Sequence, residues 1–108
     1  TFALLQNTAN SFVAPDDLAF KAAAAGAEWS KSFYQILTNQ PGKDAWPISG
    51  ATFLLLQAKP VDMAKTQAVL KFVSWSFKNG DKTASDLEYV PLPATVKTQV
   101  EKSWAVIK

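Results

Sequence analysis

The 108-residue sequence contains no cysteine, no histidine and no arginine. Without cysteine there are no disulfides and no thiolate chemistry, and the chain suits a reducing or an oxidising compartment alike. Without histidine it lacks the usual neutral-pH base and metal ligand. Without arginine it lacks the planar fork that grips phosphate or carboxylate through two bonds. Enzymatic chemistry is disfavoured from the outset. Long apolar runs are missing too: the longest, residues 53–56 with their flanks, falls far short of the roughly 20 residues of a membrane-spanning helix. All positive charge is carried by eleven lysines, offset by nine carboxylates to a net +2 with no basic block. The electrostatic footprint of a nucleic-acid binder is therefore absent.

What is present is apolar residues, 48% of the chain, enough for the core of one small globular domain. The opening "TFALLQNTAN" has neither the basic start nor the small-residue cleavage site of a secretion signal, and no initiating methionine, so a processed or truncated chain is expected. "TFALLQ" reads as a strand, "NTANS" as a turn, and "FV" as a short extended piece. "APDDLAFKAAAAGAEW" carries a helix signature: Pro15 in the first turn, Asp16 and Asp17 against the positive end of the dipole, an alanine run, and Gly26 as the stop. Residues 33–37 suit a helical turn or a strand equally, before a turn-rich loop around Asn39, Pro41 and Gly42.

Residues 52–56 have the continuous apolar character of a strand covered on both faces, which predicts a central rather than an edge position. Asp62 is placed to cap a long helix that Gly80 ends. At about 100° per residue, Thr66, Val69, Phe72, Val73, Ser76 and Phe77 share one face of this helix. Ala64, Ala68 and Trp75 form a second stripe flanked by Lys71 and Lys78, so two packing neighbours are expected. "DKTASDLEYVPLP" predicts a short helical turn and a Pro-bounded link, and the last helix starts near Pro93 with Val96, Val100, Trp104 and Ile107 on one stripe. Strands alternating with helices make an α/β chain.

Candidate chemistry is thin. Asp16 and Asp17 are adjacent on a helix and diverge by about 100°, so their place at the dipole explains them better than a paired-carboxylate site does. Asp86 and Glu88 have no third ligand at metal spacing and read as solvated surface. "SGAT" at residues 49–52 has the small residues of an anion-binding nest, but a strand rather than a helix follows it, which favours a backbone hinge. Trp29, Trp46, Trp75 and Trp104 could stack on sugars or bases, but at least two fall on apolar helix stripes and read as packing anchors. No nucleophile has a base beside it.

The blocks "NSFVAPDDLAFKAAAAGAEWS", "ILTNQPGKDAWPISGATFLLL" and "AVLKFVSWSFKNGDKTASDLEYVPLP", followed by "VKTQVEKSW", resemble in order the C-terminal part of PstS-type phosphate-binding proteins. These are the periplasmic or lipid-anchored solute receptors of bacterial ABC importers for inorganic phosphate. The resemblance implies a fragment of a two-lobed periplasmic-binding-protein fold of type II, α/β, with a mixed sheet flanked by helices. It implies that residues 1–46 belong to the second lobe, that residues 47–50 cross between lobes, and that residues 51–108 belong to the first lobe, as a strand plus helices. Trp46, Pro47, Ser49 and Gly50 are then the hinge.

The family's phosphate ligands are Ser and Thr hydroxyls, backbone amides, an aspartate and an arginine, all upstream of the matching part. No phosphate-binding, catalytic or metal-ligating residue is therefore assigned in this chain, and no cofactor is implied. The implied partners are inorganic phosphate, for the complete protein only, and the membrane subunits of the importer; nucleic acid is not among them. A chain holding parts of two lobes leaves apolar faces wet, at about 25 cal/mol per Å². Self-association, or pairing with the missing part, is expected. The alternative is a stand-alone structural or oligomerising unit that binds no phosphate.

Overall fold

Turn formers between two short apolar stretches close a hairpin at the start of the chain. Strand β1 (Leu5–Gln6) pairs antiparallel with β2 (Phe12–Val13), Leu5 opposite Val13 and Gln6 opposite Phe12. Asn10 makes the turn with φ 59°, a left-handed conformation that asparagine tolerates better than most residues. The computed structural model describes residues 1–108 and divides them into two units, Thr1–Thr52 and Phe53–Lys108.

In the first unit, helix α1 (Asp17–Ala25) follows the hairpin. Asp16 is its N-cap, its carboxylate accepting the Ala19 N–H at 2.9 Å, so Pro15 lies just outside the first turn rather than in it. Asp17 sits in the first turn and pairs with Lys21 at 3.8 Å. Gly26 ends the helix in a right-handed conformation, φ −73°, so handedness does not demand glycine there. Closeness favours it: a Cβ on Gly26 would lie 3.2 Å from the Pro41 carbonyl oxygen, which would have to give by a few tenths of an ångström. The Trp29 indole donates to the Ala24 carbonyl at 2.6 Å, occupying one of the acceptors that a helix end leaves open.

Small side chains let other elements approach α1 closely. Ala19, Ala23 and Ala24 are buried together with Trp29, Leu37, Ala45 and Trp46, and the Phe20 and Trp46 rings meet at 6.1 Å, tilted by 53°. Residues 33–37 adopt neither of the two expected forms. Their ordering comes from Leu37 in the core and from the antiparallel bridge of Thr38 to Ile48.

The second unit is helical. Helix α2 (Met63–Asn79) starts at Asp62, whose carboxylate accepts the Lys65 N–H at 2.9 Å, and stops at Gly80, whose N–H returns to the Ser76 carbonyl at 2.7 Å. Helix α3 (Asp81–Asp86) follows at once, and α4 (Ala94–Ser103) runs into a 3₁₀ turn over Trp104–Val106. The Ser74 hydroxyl donates to the Glu101 carboxylate at 2.5 Å, joining α2 to α4. The Lys97 ammonium donates to the Phe77 carbonyl at 3.0 Å and to the Asp81 carboxylate, so α4 supplies a cation to the negative end of α2. The expected stripe of α4 is covered, with Val96 buried and Val100, Trp104 and Ile107 half-buried.

Two expectations need correction. Residues 52–56 are not a central strand: no strand pairing involves them, and Leu55 is 90% exposed. A strand covered on both faces needs neighbouring strands for its N–H and C=O groups, and the unit that holds most of this run contains only helices. The mixed sheet is accordingly not assembled here; the hairpin is a two-stranded ribbon. Helix α2, in turn, has one half-buried face rather than two. Ala64, Ala68 and Trp75 remain exposed, and Phe72, expected on the covered face, joins them by stacking on Trp75 at 6.3 Å. No helix is long and apolar enough to cross a membrane.

Candidate functional site

The residues expected to form the hinge, Trp46, Pro47, Ser49 and Gly50, lie at the end of the first unit. Trp46 is buried, its ring against Phe20 and its N–H donating to the Ala19 carbonyl at 3.0 Å. Ala19 is in α1, so a backbone bond as well as an aromatic contact holds this end of the segment to the helix. Pro47 is buried too, and its carbonyl accepts the Asn39 N–H at 2.8 Å beside the Thr38–Ile48 bridge. Asn39 has φ 52°, and the reversal of the chain there brings residues 38 and 48 opposite each other.

Ser49 is buried with its hydroxyl donating back to the Trp46 carbonyl at 3.2 Å. A hydroxyl committed in this way satisfies the polar groups of the turn itself. Gly50 is different: it is exposed, and a Cβ built on it would meet nothing within 4 Å. Its φ is outside the left-handed region, so no strain requires glycine in this conformation. Trp46, Pro47 and Ser49 are thus gathered into one pinned turn, and Gly50 stands at its free margin.

A residue that no sequence pattern singled out completes this arrangement. Asn7, in the hairpin turn and only 5% exposed, points its carboxamide across to the loop that precedes Trp46. Its Nδ2 donates to the carbonyls of Gly42 (3.1 Å), Lys43 (2.7 Å) and Ala45 (3.2 Å). Its Oδ1 accepts the N–H groups of Ala9 (3.0 Å) and Ser11 (3.1 Å). Gly42 has φ 125°, which side-chain-bearing residues rarely adopt, and this lets the loop turn its carbonyls toward Asn7. The visible signal was limited to an asparagine among turn formers, because its donors reach residues 35–38 positions away.

The acidic residues take structural places. Asp16 caps α1, Asp17 faces Lys21, and Asp86 pairs with Lys82 at 2.6 Å one turn away on α3. Glu88 sits exposed after α3 with φ 63°. Of the tryptophans, Trp29 and Trp46 are buried, Trp104 is half-buried, and Trp75 is 59% exposed. What the arrangement does is mechanical: it holds the backbone from Trp46 to Ser49 against the first unit.

No family model matches the chain. Over 107 residues, 97% of its length, it is 43% identical to the phosphate-binding protein PstS of Xylella fastidiosa strain 9a5c. It is 41% identical over 95% of its length to the phosphate-binding protein PstS of Pasteurella multocida strain Pm70, and 40% identical over 93% to that of Haemophilus influenzae strain KW20. The chain spans 29–30% of the length of these relatives.

Proposed function

Because the chain belongs over nearly its whole length to the PstS phosphate-binding proteins, we propose that it is the C-terminal portion of the inorganic phosphate receptor of a bacterial ABC importer. In this reading the complete receptor is periplasmic or lipid-anchored, holds phosphate between two lobes, and releases it unchanged to the membrane subunits. The function is binding rather than catalysis. Residues 1–46 contribute to one lobe, residues 47–50 cross, and residues 51–108 contribute to the other. The groups that hold phosphate lie in the rest of the receptor. The observation that carries the proposal is the 43% identity across 97% of the chain.

The geometry of residues 46–50 gives this reading a mechanism. A receptor that closes on its ligand needs hinge positions that absorb a backbone change while their flanks stay fixed. Trp46, Pro47 and Ser49 are held by the core, by Asn39 and by the turn's own hydroxyl bond, whereas Gly50 has open space around it. Motion concentrated at Gly50 would leave the packing of Trp46 intact. The chain's share in phosphate capture is then the open–closed equilibrium, which multiplies the affinity of a site built elsewhere.

Calorimetric titration with inorganic phosphate tests the proposal. The complete receptor is expected to bind one phosphate saturably, and the 108-residue chain to give no saturable heat. Saturable binding by the 108-residue chain would place ligands within it and overturn the assignment. A complete receptor that ignores phosphate would overturn the function.

A further inference from the structure

We propose that Asn7 is a positioning residue for phosphate capture: it locks the loop leading into the crossing and thereby sets the open–closed equilibrium without touching the ligand. The inference rests on the reading of residues 47–50 as an interlobe crossing. Its own basis is the network around one side chain. Asn7 is almost wholly buried, and both ends of its carboxamide are engaged. The Nδ2 group has two hydrogens for three carbonyls, so at least one hydrogen is shared, and the loop 42–45 is held at several points at once. The Oδ1 end fastens the same side chain to the hairpin through Ala9 and Ser11.

The last of the three carbonyls belongs to Ala45, the residue before Trp46. Trp46 is tied to α1 through the Ala19 carbonyl at 3.0 Å. The start of the crossing is therefore braced from two directions, by the hairpin and by the helix. Removing the donor takes its partner from the Ala45 carbonyl, the buried one of the three, and releases the part-buried carbonyls of Gly42 and Lys43 from the hairpin. Once freed, the loop can adopt more than one position, and the direction in which the chain leaves Trp46 is no longer single-valued. In the complete receptor that widens the open ensemble and lowers the fraction competent to close, which weakens binding by the same factor.

The chemistry of the side chain supplies a discriminating substitution. In N7D the carboxylate keeps the acceptor that serves Ala9 and Ser11, but it has no N–H and confronts three carbonyl oxygens. If Asn7 serves only the hairpin, N7D behaves like wild type. If it locks the loop, N7D is as harmful as N7A. The experiment uses the complete receptor, comparing wild type, N7A, N7D and G42A, the last straining the same loop at φ 125° without touching the hairpin. Phosphate affinity is measured by calorimetry, ligand-free closure by small-angle scattering, and amide exchange is followed over residues 42–50.

The expected result is about tenfold weaker phosphate binding in all three variants at unchanged stoichiometry, with faster exchange over residues 42–50 and a broader ligand-free distribution. Unchanged affinity in N7D and G42A overturns the inference, whatever happens to N7A or to melting temperatures, while leaving phosphate binding by the wild type in place. A wild-type receptor that does not bind phosphate removes the functional reading and this inference together.

Discussion

The unit Thr1–Thr52 and the unit Phe53–Lys108 hold comparable lengths of chain but bury their apolar residues very differently. In the first, an alanine-faced helix, two tryptophans, Leu37 and Ala45 close into a core, and the buried polar groups of Asn7 and Ser49 have hydrogen-bond partners. In the second, Val96 is the one buried apolar residue, although α2 is capped by Asp62 and bridged to α4 through Lys97. Leu54, Leu55, Phe72 and Trp75 face water there. Helix formation and core formation are thus separable. The Asp62 cap and Gly80 specify α2 locally, and Pro93 marks the start of α4, but these signals do not provide a surface to lie on. The chain spans 29% of the length of the Xylella fastidiosa relative, and in the reading proposed above the rest of the receptor would supply that surface.

The difference can be broken most directly at Trp46. Replacing Trp46 with alanine removes a buried ring that packs on Phe20, and truncations of this type cost about 3–5 kcal/mol. For a unit of this size that is most or all of its stability. Amide exchange of α1 should lose protection while exchange of α2 and α4 stays unchanged. Equal loss in both units would mean that they do not bury their residues independently, and the contrast drawn between them would fall.

The contrast also marks what could be read from residue order. Asp16, Asp62, Gly80, Pro93 and the hairpin were legible because each signal acts within a few residues of itself. The covered stripe of α4 was legible for the same reason. Residues 52–56 were misread because a continuous apolar run describes the surroundings that a strand requires, and those strands are not among these residues. Phe72 shares a helical face with Val69 and Val73 by angle, yet it lies at the edge of that face and turns to Trp75 when nothing covers it. Of the candidate hinge, the pinned positions Trp46 and Pro47 stood out as an aromatic and a proline. Asn7 did not, since a long-range side-chain bond leaves no periodicity.

A smaller effect, confined to the second unit, is expected at Gly80. A Cβ there would lie 2.7 Å from the Ser76 carbonyl oxygen, closer than real contacts allow, and the neighbour is backbone that cannot turn away. Replacing Gly80 with alanine should destabilise the α2–α3 junction by about 1–3 kcal/mol, in the range of overpacking. The readout is lost helical circular dichroism and faster exchange at the end of α2, with α1 untouched. A neutral substitution would show that this junction is already loose, and would make the second unit less ordered than its helix caps imply.

The smallest effect sharpens the comparison furthest. Trp75 is 59% exposed and touches Phe72 on the open face of α2, so replacing it with serine in the 108-residue chain should change stability by no more than about 0.5 kcal/mol. Its fluorescence, isolated by comparing the variant with wild type, should be that of a water-exposed indole. The same substitution in the complete receptor distinguishes two states of that face. If the rest of the receptor covers it, the loss becomes that of a buried aromatic, about 3–5 kcal/mol, and the emission of Trp75 is blue-shifted. If both values stay as in the short chain, the face is open in the receptor as well. The poor burial of the second unit would then be its own property and not the mark of missing chain.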